Sequence, residues 1–145
     1  MLQGKRIYIS GKIGKEIISP ATRAKFDRAE AMLRKLGAEP FNPTSEEWQR
    51  ELAKGYERDS IVQPHGDKVS RYAYCLLRDL MVIATCDAVY MLDDWTFSSG
   101  AGTEHSFCLA DDIPLYWQSE TDAKVFGDDP EDYRAVWLPI EAPVP

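Results

Sequence analysis

The chain has 145 residues, 44% of them apolar and 28% charged, with a formal net charge of −7. That length and balance describe one globular domain rather than a disordered segment. The acidic excess excludes a general nucleic-acid surface, which needs basic residues in excess, but leaves room for an anionic small molecule held by backbone amides and one or two local cations.

Ile7-Tyr8-Ile9-Ser10 is short, β-branched and aromatic, and predicts the first strand. Gly11-Lys12-Ile13-Gly14-Lys15 follows as a loop with two lysines at that strand's carboxyl end. It reads either as a resting place for a phosphate or as a plain surface turn, because its spacing matches neither a P-loop nor G-x-G-x-x-G. Ser19-Pro20 supplies a cap and a first-turn proline; Phe26, Ala29, Met32, Leu33 and Leu36 supply an apolar stripe, and Gly37 ends the helix. Glu39-Pro40-Phe41 predicts a short second strand, and Asn42-Pro43-Thr44 turns the chain into a helix over residues 45–54. Residues 55–69 hold Gly55, Pro64 and Gly66 without a clear period. They read as a loop over the site, with Tyr56 or Trp48 lining a base pocket, or as a solvated connection.

Residues 71–85 carry a broad apolar arc of Leu76, Leu77, Leu80, Met81, Ile83 and Ala84, the pattern of a helix. Asp79 borders that arc, which predicts a half-buried carboxylate near the strand ends. The run Ala88-Val89-Tyr90-Met91-Leu92 is expected as a buried parallel strand. Its carboxyl end opens into a turn of acidic, aromatic and hydroxyl residues and then, near Gly100, into a helix carrying Glu104. Open parallel sheets place their ligands at such strand ends. Residues 113–117 predict a further strand, 130–134 a short helix and 135–138 an edge strand. Residues 1–138 are thus expected to form a single domain, and the proline-rich tail 139–145 is expected to be irregular and to reach toward a neighbouring subunit. No run of 18 apolar residues and no signal-peptide pattern occurs. Cys75, Cys86 and Cys108, odd in number and not closely paired, fit buried free thiols in a reducing cytoplasm.

In a helix beginning near Gly100, Glu104 lies three residues after Ala101 and four before Cys108, on the apolar stripe. An uncompensated buried carboxylate costs several kcal/mol. First-turn N–H groups and the helix dipole offset part of that, about 0.3–2 kcal/mol. The result is a poorly solvated, fixed anion, as a carboxylate nucleophile requires. The other reading of G-A-G-T-E is a first-turn acid facing water, with glycines serving only tight packing. His105 and Cys108 fit core packing better than metal ligation. Asp87 fits a turn at the strand's start. Asp93 and Asp94 read as a solvated pair or as carboxylates for Mg²⁺ with a phosphate. Trp95 stacks on a base or packs an interface.

Three ordered segments carry a resemblance: I-Y-I-S-G, then R-D-L-M-V-I-A-T-C-D-A-V-Y-M-L with Asp79 eight before Asp87, then W-T-F-S-S-G-A-G-T-E-H followed by F-C-L-A. Together, over residues 6–117, they resemble the nucleoside 2-deoxyribosyltransferase-like superfamily, in its subgroup of small proteins labelled as a domain of unknown function. The resemblance implies a flavodoxin-like α/β three-layer sandwich with a parallel sheet of about five strands. It also implies a homodimer whose active site borrows residues from its neighbour, and no metal or cofactor. Glu104 matches the family's nucleophile toward the anomeric carbon, Asp79 the acid beside sugar and departing base, and Tyr8 the residue orienting the nucleophile. Family transferases carry an acid six residues before the nucleophile, where this chain has Ser98. A serine there, followed by G-x-G, is similar to the branch that hydrolyses nucleoside 5′-monophosphates. Ser98, Ser99, Gly100 and Gly102, with Gly11 and Lys12 opposite, are then the expected phosphate cradle, and Trp95 a further substrate contact. Asp93 and Asp94 depart from it in being more acidic than a phosphate site prefers. The expected activity is cleavage of the N-glycosidic bond of a (deoxy)nucleoside 5′-monophosphate through a glycosyl-Glu104 intermediate resolved by water. A base-exchanging deoxyribosyltransferase and a non-catalytic nucleotide-binding module are the alternatives.

Overall fold

The computed structural model describes residues 2–14 and 17–140. Lys15 of the first loop and residues 141–145 of the expected tail lie outside them. The elements run β1 (Arg6–Ser10), α1 (Pro20–Lys35), β2 (Glu39–Phe41), α2 (Glu46–Asp59), α3 (Arg71–Ile83), β3 (Ala88–Met91), α4 (Ser99–Ala110), β4 (Leu115–Trp117) and α5 (Glu120–Phe126). The four strands form one sheet in the order β2-β1-β3-β4, with every pair parallel. This is an α/β, flavodoxin-like architecture. Chain direction across the sheet reverses between β1 and β3, which makes their carboxyl ends the topological switch point where such sheets bind ligands.

Strand alternation assigns the two faces. Ile7, Ile9, Tyr90 and Leu92 pack with Phe26, Ala29 and Leu33 of α1 on one side. Tyr8, Val89 and Met91 pack with Ile83 of α3, Ala101 and Cys108 of α4, and Ala123 of α5 on the other. Ser10, two residues beyond Tyr8, therefore faces α4 as well.

Four expectations change. The sheet has four strands: in place of a fifth, residues 135–138 contribute one parallel bridge, Trp117 to Trp137, with Trp117 N–H donating to Val136 O at 2.7 Å. Helix α2 continues through Gly55 to Asp59 because glycine lets α3 approach there. A Cβ at Gly55 would lie 2.2 Å from the Tyr74 hydroxyl and 2.5 Å from the Arg78 guanidinium. Helix α5, unanticipated, is capped by Ser119, whose hydroxyl accepts from Asp122 N–H at 3.2 Å. Of the three thiols only Cys108 is fully buried; Cys75 and Cys86 are half-buried. Asp87 meets its expectation, accepting from Arg6 N–H at 2.8 Å at the start of the sheet. Among the described residues no helix is long and apolar enough to cross a membrane.

Candidate active site

Helix α4 is started by Ser98, whose hydroxyl accepts from Ala101 N–H at 3.1 Å. The cap fixes the helical phase, and residues at i, i+3 and i+7 then share a face: Ala101, Glu104 and Cys108 are all buried. Glu104 is only 5% exposed. Directed at β1, its carboxylate accepts the Tyr8 hydroxyl on Oε2 at 2.6 Å and the Ser10 hydroxyl on Oε1 at 2.8 Å. Both oxygens are thus held by O–H donors from alternate residues of one strand.

Asp79 reaches the same place from α3. Its Oδ1 accepts Trp48 Nε1–H at 2.8 Å, and the Tyr8 hydroxyl stands near it. An aromatic bracket joins these donors. The Tyr8 ring stacks on Phe41 at 5.7 Å between centroids, and Phe41 meets Trp48 edge-on at 5.1 Å. Asp79 keeps a solvent-exposed edge on the cavity although protein surrounds it. Burial pushes both carboxyls up, and the pair titrates at about 7 and about 8. Part of the rise at Glu104 is repulsion from an ionised Asp79, and that part vanishes once Asp79 holds a proton. Near neutrality the two acids therefore share roughly one proton.

Both carboxylates form the floor of a cavity of about 350 Å³, at the small end of ligand pockets. Gln49 and Leu52 of α2 and Tyr72, Cys75 and Leu76 of α3 wall it, and the exposed Lys12, Arg71 and Phe97 stand at its rim. Of the expected cradle, Gly11, Lys12, Ser98, Ser99 and Gly100 line the cavity. Gly11 must be small: a Cβ there would come within 2.7 Å of Leu92 Cδ1. Much of the rim's hydrogen bonding is already internal. Lys12 N–H donates to Asp94 at 3.1 Å, Ser98 caps α4, and Ser99 shares a hydrogen bond with the Tyr72 hydroxyl at 3.1 Å. Asp94 also pairs with Lys25, so its charge is compensated inside the fold.

Two expected substrate contacts are corrected. Gly102 does not line the cavity, and its N–H donates to Ser98 O at 2.9 Å within the helix. Trp95 is buried away from the cavity, against His105, Trp117 and Phe126 with centroids 4.5–5.7 Å apart, and its indole N–H donates to Asp122 at 3.2 Å. That cluster also accounts for His105 as packing. Conversely, Ser10, Gln49, Arg71, Tyr72 and the role of Trp48 as a donor to Asp79 escaped the sequence reading. Period-two spacing from Tyr8 was the available signal for Ser10.

A family model described as a domain of unknown function, DUF4406, matches residues 5–116. The chain belongs to that family. The match runs from β1 into β4 and so includes every residue of the cavity floor. A solved 2-deoxyribosyltransferase from the psychrotolerant bacterium Bacillus psychrosaccharolyticus is similar over 94% of this chain and 99% of its own, with 13% identity and a TM-score of 0.42. So distant a likeness carries no argument about chemistry. No curated protein matches.

Proposed function

We propose that this chain cleaves the N-glycosidic bond of a (deoxy)nucleoside 5′-monophosphate, with Glu104 as nucleophile. The observation that supports this most is the buried Glu104 carboxylate, gripped at both oxygens and paired with Asp79 on the floor of a ligand-sized cavity. A purely binding site has no need of two desolvated acids, which cost several kcal/mol to keep.

In the first step a Glu104 oxygen bonds to C1′ through an oxocarbenium-like transition state while the C1′–N bond breaks, its electron pair leaving with the base. Asp79, carrying the shared proton, delivers it to the departing base. In the second step a water attacks C1′, gives its proton to the Asp79 carboxylate, and frees Glu104, leaving sugar phosphate and base. Tyr8 holds the nucleophile in line. The 5′-phosphate lies at the rim, near Lys12 and the start of α4, where the helix dipole favours an anion. As part of this proposal the chain works as a homodimer, whose neighbour covers the exposed Phe97 beside the cavity mouth.

The test is base release from a panel of nucleosides and 5′-monophosphates, read by chromatography, with intact mass spectrometry for a glycosyl adduct. Monophosphates should release base faster than nucleosides, and Glu104→Gln should release none and form no adduct. Binding with no base released would select the binding module instead. Turnover only when a second base is supplied would select the transferase.

A further inference from the structure

We infer that Ser10 is a positioning residue which, with Tyr8, fixes the Glu104 carboxylate and favours its ionised form. The inference rests on the catalytic reading above.

Ser10 ends β1 at 1% exposure, on a sheet face otherwise occupied by Tyr8, Val89, Met91, Ala101 and Cys108. A hydroxyl in such a place must find a partner, and the partner here is Glu104 Oε1 at 2.8 Å. The Tyr8 hydroxyl has one hydrogen, and it points to Glu104 Oε2. With Glu104 ionised, Tyr8 serves one of its oxygens and Ser10 the other, while Trp48 donates to Asp79. A proton on Glu104 would sit on an oxygen that already accepts from one of these hydroxyls, and that hydroxyl would have to turn. Each donor therefore favours the ionised carboxylate, by about the value of a hydrogen bond to a charged group, and Ser10 supplies its share without adding a charge.

The groups facing Glu104 are few. Tyr8 and Ser10 come from β1, Asp79 from α3 and Cys108 from α4 itself. Lys12, Arg71 and Cys75 line the same cavity. Replacing Ser10 changes none of the charges, so a shift in titration reports the lost donor.

The experiment compares Ser10→Ala, Ser10→Cys and Ser10→Thr by the pH dependence of base release and by infrared titration of the Glu104 carboxyl, taken as a difference against Glu104→Gln. Ser10→Ala should lower kcat by about 10- to 100-fold with KM nearly unchanged. It should also move the acidic limb of the rate profile, and the infrared titration, upward by about one pH unit. Ser10→Cys, close in size and a weak donor, should fall between alanine and wild type; Ser10→Thr should restore most of both signals. An alanine or cysteine variant that folds and leaves both titrations where they were overturns the inference. If the wild type releases no base, the catalytic reading falls on its own, and the infrared titration still decides whether Ser10 holds Glu104 ionised.

Discussion

The floor and the rim of the cavity are built in opposite ways. At the floor, Tyr8, Ser10 and Trp48 come from strand β1 and helix α2 to serve two acids on α3 and α4, across sequence separations of 96, 94 and 31 residues. At the rim, the hydroxyl of Ser98 serves its own helix, that of Ser99 meets Tyr72, and the amide of Lys12 serves Asp94. The floor holds charge against desolvation and can do so only through tertiary structure; the rim holds a shape and leaves cations facing solvent. Chemistry is therefore expected to collapse when the floor is altered, and selectivity to soften when the rim is.

Glu104→Gln is the strongest challenge to that contrast. It keeps the volume and removes the proposed nucleophile, and base release should fall to background, a loss on the order of 10⁴-fold or more. Asp79→Asn removes the proposed proton donor and should cost about 10²- to 10⁴-fold. A substrate whose leaving group needs no protonation should recover most of the Asp79→Asn loss and none of the Glu104→Gln loss. Equal recovery in both variants would erase the division of labour between the two acids.

The placement of the two acids was partly legible in the sequence. The spacing of Ala101, Glu104 and Cys108 after a serine cap put the acid on the buried stripe, and the apolar arc of α3 put Asp79 at its edge. The sheet, with Tyr8 on its α3–α4 face, followed from short apolar runs in order. What escaped depended on contacts with no local trace. Gly55 looks like a helix breaker until Tyr74 and Arg78 occupy the space its missing side chain leaves. Trp95 looks like a stacking platform until α5 supplies Phe126 and Asp122 to bury it; with α5 unseen, its partners were unseen too. Ser10 is small and polar at a strand end, where serine is unremarkable without its partner 94 residues away.

Stability against pH sharpens the comparison without any substrate. In the unfolded chain both acids lose their protons near pH 4; in the folded protein burial raises the two titrations of the pair to about 7 and about 8. Across that window the folded state binds more protons than the unfolded one. Stability from these groups is therefore complete below about pH 4 and lost as pH rises toward 8, by about 1.4 kcal/mol per pH unit for each extra proton held. The double variant Asp79→Asn, Glu104→Gln lacks this loss. Its unfolding free energy, from denaturant titration, should gain steadily on wild type between pH 5 and 8, by a few kcal/mol in total, while the remaining carboxylates cancel in the difference. A flat difference would mean that the floor acids titrate like surface ones.

Between floor and rim stands Gly11, where β1 turns into the first loop. A methyl added there meets Leu92 Cδ1 at 2.7 Å, Leu92 Cβ at 2.9 Å and Asp94 at 3.1 Å. Overpacking of this kind costs about 1–3 kcal/mol. Gly11→Ala should lower the thermal midpoint, and because the loop carries Lys12, it should raise KM more than it lowers kcat. A drop in kcat alone would tie this turn to the floor.

The smallest effect belongs to Lys12. It is exposed, its amide is committed to Asp94, and it lines a cavity rim open to water and salt. A screened surface charge contributes about 0–1 kcal/mol, so Lys12→Ala should raise KM for a 5′-monophosphate by no more than about fivefold. KM for the matching nucleoside and kcat for both should stay unchanged. The difference should also shrink as ionic strength rises, since the Debye length falls from about 10 Å at 0.1 M to about 3 Å at 1 M. A salt-independent loss, or an equal loss for nucleoside and monophosphate, would mean that Lys12 supports the floor by shape and that the anion binds elsewhere along the rim, beside Arg71.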